Sequence, residues 1–296
     1  MPISDFIVLV YCEVCDAVSR LALPRLRKRG FEPALSDEEA LTMELVGAYL
    51  GLATDKAIWQ YFDQHWRSWF PGLGVRSTFV RQAANLWQVK CLLHRSWADS
   101  LGTAHSKCHV VDGFPMPVCH FARAHFSQVF CGEAAYGYCA SKKQTFYGFR
   151  GLLLTTEKGV IHDIAIVPAN VDERDALDEL SLAPLSGLLL GDKGFIRPAL
   201  KERLAEQGLN LQTPLRENMQ DTREPRFLSW MKSTRRIVET TIGQLTERFD
   251  IERNRARKLW QLTSRIYRKI AAHTLCVLFN QRLARPCLQL DGLIGG

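Results

Sequence analysis

Two short apolar runs, each ending in an aspartate beside glycine, constrain this chain most. They are Lys107-Cys-His-Val-Val-Asp112-Gly and Gly187-Leu-Leu-Leu-Gly-Asp192-Lys-Gly. Runs of this length and composition read as strands, and the glycines let the backbone bend just where each carboxylate leaves the sheet. Gln144–Thr156 and Val160–Val167 are also apolar-rich and are joined by Glu157-Lys-Gly159, a hairpin turn signal. Residues 172–180 look helical. Pro198 sits where a helix tolerates proline in its first turn, Leu200 and Leu204 give that helix a face, and Gly208 stops it. Leu209–Thr213 is a further strand. The order is strand, hairpin, helix, strand, helix, strand, helix, which predicts an α/β mixed sheet. Pro214–Trp230, polar and containing Pro225, is expected to be a mobile loop before a helix that carries Glu239.

The first hundred residues read as helical. Ser36-Asp-Glu-Glu39 is a capping box, followed by Leu41, Leu45, Ala48 and Leu52 at helical spacing. Thr54 opens a second helix with Ile58, Tyr61 and Phe62. After the loop Pro71-Gly72-Leu-Gly74, Ser77 is placed to cap a third, with Phe79, Ala83, Leu86, Val89 and Leu93 inward and Arg81, Gln82, Asn85 and Gln88 outward. Two readings stay open: a helix-turn-helix-like DNA reader using Arg81, Gln82 and Asn85, or a plain helical domain with a polar outer face. The expected division is a helical domain over 1–100, a catalytic domain with basic C-terminal helices over 101–285, and a tail over 286–296, of which Asp291–Gly296 is expected to fray.

Charge is unevenly spread. The net formal charge is +7 and the pI about 9.0. Arg235 to Arg285 alone holds 12 Lys and Arg against 4 Asp and Glu. A solvated basic helix face explains many such runs, but this one adjoins Glu239, which points to a polyanionic partner. Nine scattered cysteines and no secretory signal predict a soluble, cytoplasmic protein without a disulfide framework. Cys12-Glu-Val-Cys15 reads as helical packing. His105, Cys108, His109, Cys119, His120, His125 and Cys131 form a denser group whose spacings match no zinc finger.

The acids carry the chemistry. Asp112 and Asp192 lie at the carboxyl ends of expected strands, the edge where α/β folds place their sites. Val238, Ile242, Leu245 and Phe249 form one helical stripe and Arg235, Glu239, Gly243 and Thr246 the next, so Glu239 is expected to border the buried face. Three hard oxygen donors favour Mg²⁺, with Mn²⁺ as substitute, over zinc. Two such ions activate an attacking oxygen and stabilise a leaving one in phosphodiester chemistry. Arg235 and Arg236 beside the third acid suit a phosphate, and Lys193, Arg253, Arg255, Arg257 and Lys258 are further candidate DNA contacts.

Five stretches, in order, carry a resemblance: Val111-Asp112-Gly-Phe-Pro-Met-Pro-Val-Cys119, Tyr138-Cys-Ala-Ser-Lys-Lys-Gln-Thr-Phe-Tyr-Gly148, Val167-Pro-Ala-Asn-Val-Asp-Glu173, Gly191-Asp192-Lys-Gly194 and Arg236-Ile-Val-Glu239. Over nearly its whole length the chain resembles the DDE transposases of the insertion-sequence 982 family. The resemblance implies an RNase H-like mixed sheet with flanking helices, preceded by an all-α N-terminal domain. It also implies two Mg²⁺ ions held by Asp112, Asp192 and Glu239, and double-stranded DNA (transposon ends and target) as partner. A homodimer on that DNA and a place in the bacterial cytoplasm at the nucleoid follow from it too. Related groups carry a lysine seven residues after the third acid, where this chain has Thr246. The expected activity is end cleavage to release a 3′-OH, then strand transfer. The alternatives are a nuclease of the same fold without strand transfer and a catalytically silent DNA-binding regulator.

Overall fold

The computed structural model describes residues 1–22, 32–140 and 142–295. Ser141, within the second stretch quoted above, and Gly296 of the tail lie outside the described residues. In chain order the elements begin with helices α1 (Ile3–Leu21), α2 (Asp37–Tyr49), α3 (Asp55–His65), α4 (Arg76–Asn85) and α5 (Trp87–Ser100). Then come β1 (Cys108–His120), α6 (Phe121–Ala124), β2 (Ala135–Cys139), β3 (Gln144–Thr156), β4 (Ile161–Pro168), α7 (Glu173–Ala176), β5 (Gly187–Leu190), α8 (Pro198–Glu206) and β6 (Leu209–Gln212). Two long helices close the order, α9 (Pro225–Glu247) and α10 (Leu259–Arg282). The chain forms two compact units. One comprises Met1–Trp97, Glu247–Ile251 and Arg255–Gly296; the other comprises Ala98–Thr246 and Glu252–Asn254.

The first unit is helical among its described residues. The capping box forms as expected: Ser36 Oγ accepts from the Glu39 amide at 3.1 Å, and the Glu39 carboxylate accepts from the Ser36 amide at 2.7 Å. Thr54 caps α3. Every residue of α2 from Ala40 to Tyr49 is buried, as is every residue of α10 from Arg268 to Asn280. Helices covered on all sides form the centre of a unit. The expected third helix is split at Leu86, and Val75, not Ser77, occupies its cap. The physical reason is a buried lysine. Lys90 Nζ donates to the Ala83 carbonyl at 2.9 Å, and Ser264 Oγ donates to the same carbonyl at 3.1 Å, so side chains take an acceptor that a continuous helix would use.

Lys90 also pairs with Glu44 at 2.6 Å, and Arg268 bridges Glu44 at 3.5 Å and Asp55 at 2.6 Å. Arg265 joins Asp55 at 2.7 Å. One ionic network therefore ties α2, α3, α5 and α10 together. It shows why α10 belongs to the helical unit and corrects the expected 101–285 boundary. The tail is corrected too. Leu290 and Leu293 are buried, Tyr49 Oη donates to the Leu290 carbonyl at 3.0 Å, and the Asn280 amide donates to the carbonyls of Cys287 and Gln289. Residues 286–295 are docked; they do not fray.

The second unit is built on a mixed sheet. β1 pairs antiparallel with β3, Asp112 facing Leu153, and parallel with β5 from Cys108↔Leu188 to Val110↔Leu190. β6 extends the parallel side, while β4 and β2 each pair antiparallel with β3 on its other edge. The β3 and β4 hairpin matches its expected bounds closely. β1 does not: the ladder with β3 carries it on to His120, so Asp112 lies inside the strand and not at its end. β2 is a strand that the sequence did not suggest. Much of the expected loop is structured as well, because α9 already starts at Pro225. Arg223 pins what precedes it, donating to Gln212 Oε1 at 2.8 Å and to the Thr213 carbonyl at 3.0 Å. The core between sheet and helices is lined by Val111, Leu154, Leu189, Phe195, Leu200 and Leu209.

Candidate active site

Side chains alternate across a strand, so the residue after Val111, which enters the core, projects to the opposite face. That residue is Asp112. The rung Val110↔Leu190 ends the parallel pairing of β1 with β5. Asp112 and Asp192 each stand two residues beyond that rung, Asp112 still within β1 and Asp192 in the turn that follows β5. Asp112 Oδ1 accepts from the Gly113 amide at 2.8 Å. Asp192 Oδ1 accepts from the Gly194 amide at 2.6 Å, capping the short turn Lys193–Phe195, whose Phe195 is fully buried. A buried anchor thus fixes the backbone that presents Asp192.

Burial pushes the Asp112 carboxyl up to about 6. The Gly113 amide and Arg235 work against that rise, and the charges of Asp192 and Glu173 add to it. Glu173 is the residue that the sequence reading missed. It opens α7, burial raises its pKa, Arg150 at 3.4 Å opposes the rise, and Asp192 and Asp172 reinforce it. Its carboxylate fits because Gly113 carries no side chain, and Gly194 is an ordinary neighbour of it. A Cβ at Gly113 would stand 2.8 Å from Glu173 Oε1, and one at Gly194 would stand 3.5 Å from Oε2. Its only sequence signal is that it closes the stretch Val167–Glu173, and Arg150 is marked only as the lone charge in the apolar run of β3.

α9 buries Met231, Thr234, Val238, Thr241 and Leu245, and Thr241 Oγ1 donates to the Gly159 carbonyl at 3.2 Å, at the turn between β3 and β4. At about 100° per residue, Arg235 borders this stripe and Glu239 lies about 40° further round. Arg235 is half-buried and acts on Asp112, whereas Glu239 is exposed. The expectation that Glu239 borders the buried face is corrected. The stripe Val238, Ile242, Leu245 and Phe249 is centred by the structure nearer to Thr234 and Thr241. Among the described residues no group of three or more His, Cys, Asp or Glu is arranged to hold a metal ion. The structure therefore brings Asp112, Asp192, Glu173 and Arg235 together and leaves Glu239 one helical turn past Arg235.

Comparison with known proteins gives the family. A model described as transposase DDE domain matches residues 103–259, just over half of the chain. The chain belongs to that family. It is a transposase, an enzyme of DNA transposition, and transposases act on DNA. A cryo-EM structure of the piggyBac transposase synaptic complex with hairpin DNA is similar over 93% of this chain and 74% of that one, with 12% identity and a TM-score of 0.45. No curated protein matches the sequence.

The transposase displays its other candidate residues unevenly. Lys193, Arg236 and Arg253 are exposed in the sheet unit, and Arg255, Arg257 and Lys258 are exposed in the helical unit. Arg81 and Asn85 are exposed on α4. Gln82 is not: it is buried, its amide donating to the Leu35 carbonyl at 2.9 Å and to Asp37 Oδ1 at 2.7 Å, so it is corrected from a DNA contact to a structural clamp. The basic run from Arg235 to Arg285 is also dispersed. Arg265 and Arg268 serve the buried network, Lys269 is buried, Arg248 pairs with Asp291, and Arg282 pairs with Glu13. Among the described residues no helix is long and apolar enough to cross a membrane.

Proposed function

We propose that this transposase mobilises an insertion sequence of the 982 family, cleaving element ends to release a 3′-OH and joining that hydroxyl to target DNA. The observation that carries the reading is the placement of Asp112 and Asp192 two residues past one rung of the sheet, with the charge of Arg235 acting on Asp112. A mixed sheet whose central strand bears the first acid, and whose parallel neighbour ends two residues before the second, supports an RNase H-like core. The donor set fits a hard divalent cation. Burial, and after it the neighbouring acids, push Asp112 up to about 6, a shift that a cation bound beside it would relieve. Asp112, Asp192 and Glu239 are the proposed holders of two Mg²⁺ or Mn²⁺ ions. Bound there, the ions supply an activated attacking oxygen and stabilise the leaving oxygen. Arg235 holds the scissile phosphate, and the Gly113 and Gly194 amides keep the two aspartates in place. Lys193, Arg236, Arg253, Arg255, Arg257 and Lys258 contact double-stranded DNA, with Arg81 and Asn85 at the element end. A homodimer brings two ends together, and the work is done in the bacterial cytoplasm, at the nucleoid.

Glu173 supports a second assignment of the third acid, since it already stands beside the aspartates. Labelled element-end DNA tests both. Asp112→Ala, Asp192→Ala and Glu239→Ala are each expected to abolish Mg²⁺-dependent cleavage while end binding persists. If Glu239→Ala cleaves and Glu173→Ala does not, the third acid is Glu173. If the wild type cuts but never joins, the protein is a nuclease. Binding without any metal-dependent cutting would make it a regulator.

A further inference from the structure

Beside the acids lies an open cavity of about 490 Å³ that shares Glu173 and Gly194 with them. We infer that it holds one nucleotide of the DNA strand next to the scissile phosphate, with the backbone phosphate of that nucleotide on Arg216 and Arg150. The inference rests on the transposase reading above and adds a substrate contact to it.

Charge argues for a phosphate. Three guanidinium groups line the cavity, those of Arg150, Arg174 and Arg216, against two carboxylates, Asp172 and Glu173. Arg174 claims Asp172 with both ends of its fork, Nε at 2.8 Å from Oδ1 and a terminal nitrogen on Oδ2. That pairing holds Asp172 well below the usual carboxylate range. Arg150 answers Glu173 and donates to the Val171 carbonyl at 3.3 Å. Arg216 is exposed, and its side chain meets no acid or acceptor among the described residues. One positive charge is left over, matching one phosphodiester. A guanidinium fork binds phosphate oxygens in pairs, where an ammonium would act as a point charge.

Size and position argue for a nucleotide. The volume lies within the range of about 300–1,000 Å³ typical of small-ligand sites, more than a bare anion needs. Ala169 and Val171 supply apolar wall, and Asn170 supplies an amide with both donors and an acceptor. Gly194, whose amide holds Asp192, also lines the cavity. A strand whose scissile phosphate meets the aspartates therefore places its neighbouring residue over this cavity.

Thymidine 3′,5′-bisphosphate is the probe, titrated calorimetrically into the full-length protein, with inorganic phosphate as comparator. The wild type is expected to bind the bisphosphate and to bind inorganic phosphate at least about tenfold more weakly. Arg216→Ala should weaken bisphosphate binding about tenfold and Arg216→Lys should recover part of it. On a duplex of arbitrary sequence, Arg216→Ala should also reduce the salt slope of binding by about one. Equal binding of both anions overturns the nucleotide assignment. Unchanged affinity and slope in Arg216→Ala overturn the site, even if cleavage still depends on Asp112. Cleavage that ignores Asp112→Ala instead overturns the reading beneath it, whatever the bisphosphate does.

Discussion

Residue by residue, the transposase shows how little of a polar side chain's role is written in its type. Gln82 stands at a helical position that periodicity assigns to the outer face, yet it lies buried and clamps Leu35, just before α2, and Asp37, the first residue of that helix. The pattern failed because the segment before α2 folds back over α4, which periodicity within one helix does not encode. A buried donor that satisfies a carbonyl and a carboxylate is costly to lose. Gln82→Ala is expected to destabilise the protein by about 1–3 kcal/mol, read as a lower urea midpoint, while leaving DNA affinity unchanged. Loss of DNA binding at full stability would return Gln82 to the contact surface. Asp112 and Asp192 were legible because each ends an apolar run, a local property. Glu173 was not, because its role depends on Gly113 leaving room for its carboxylate, a relation between two separate segments.

At the scale of elements, α10 carries the same lesson. Its sequence was counted as a basic C-terminal segment, but much of its charge faces inward. Lys269 is buried, its Nζ donating to the Asp250 carbonyl at 2.6 Å. Burial, reinforced by Arg268, lowers its pKa to about 7. A lysine in the unfolded chain titrates near 10.4, so between about pH 7 and pH 10 the unfolded state holds more protons than the native one. Stability contributed by this group therefore rises with pH across that window; below about pH 7 the full cost of a buried cation is present. Lys269→Met removes the titration. The wild type is expected to gain about 2–4 kcal/mol of unfolding free energy from this group across the alkaline window, and the variant is expected to lack that gain. Parallel pH profiles for the two proteins would refute the buried ammonium. Elements with strong local signals were readable: the capping box of α2, the hairpin of β3 and β4, and Pro198 in α8. The missed ones needed partners. β2 is a short strand, half-exposed along its length, that exists through its ladder to β3, and β1 runs past Asp112 because β3 continues beside it.

Across the whole molecule, the helical unit is assembled from both ends of the chain, with the sheet unit encoded between them. A boundary drawn after the first hundred residues follows composition but cuts through this assembly. Without α10, Asp55 loses both Arg265 and Arg268, the charges that overcome the effect of its burial and hold its carboxyl at about 2. Removing the partners of a buried charge costs about 3–5 kcal/mol. Ile266, Ile270, Leu275 and Phe279 are each buried as well, and each is worth about 1.5–3 kcal/mol. Domains of this kind have only about 5–15 kcal/mol of stability in total. The losses reach that margin, so a fragment of residues 1–100 is expected to show helical circular dichroism without a cooperative thermal transition. Adding a peptide of residues 255–295 in trans should restore both a sigmoidal melt and protection of the α2 amides from exchange, because α2 is the helix most completely enclosed. A sharp unfolding transition in the 1–100 fragment alone would mean that α10 is dispensable there, and that the boundary suggested by composition is also the physical one.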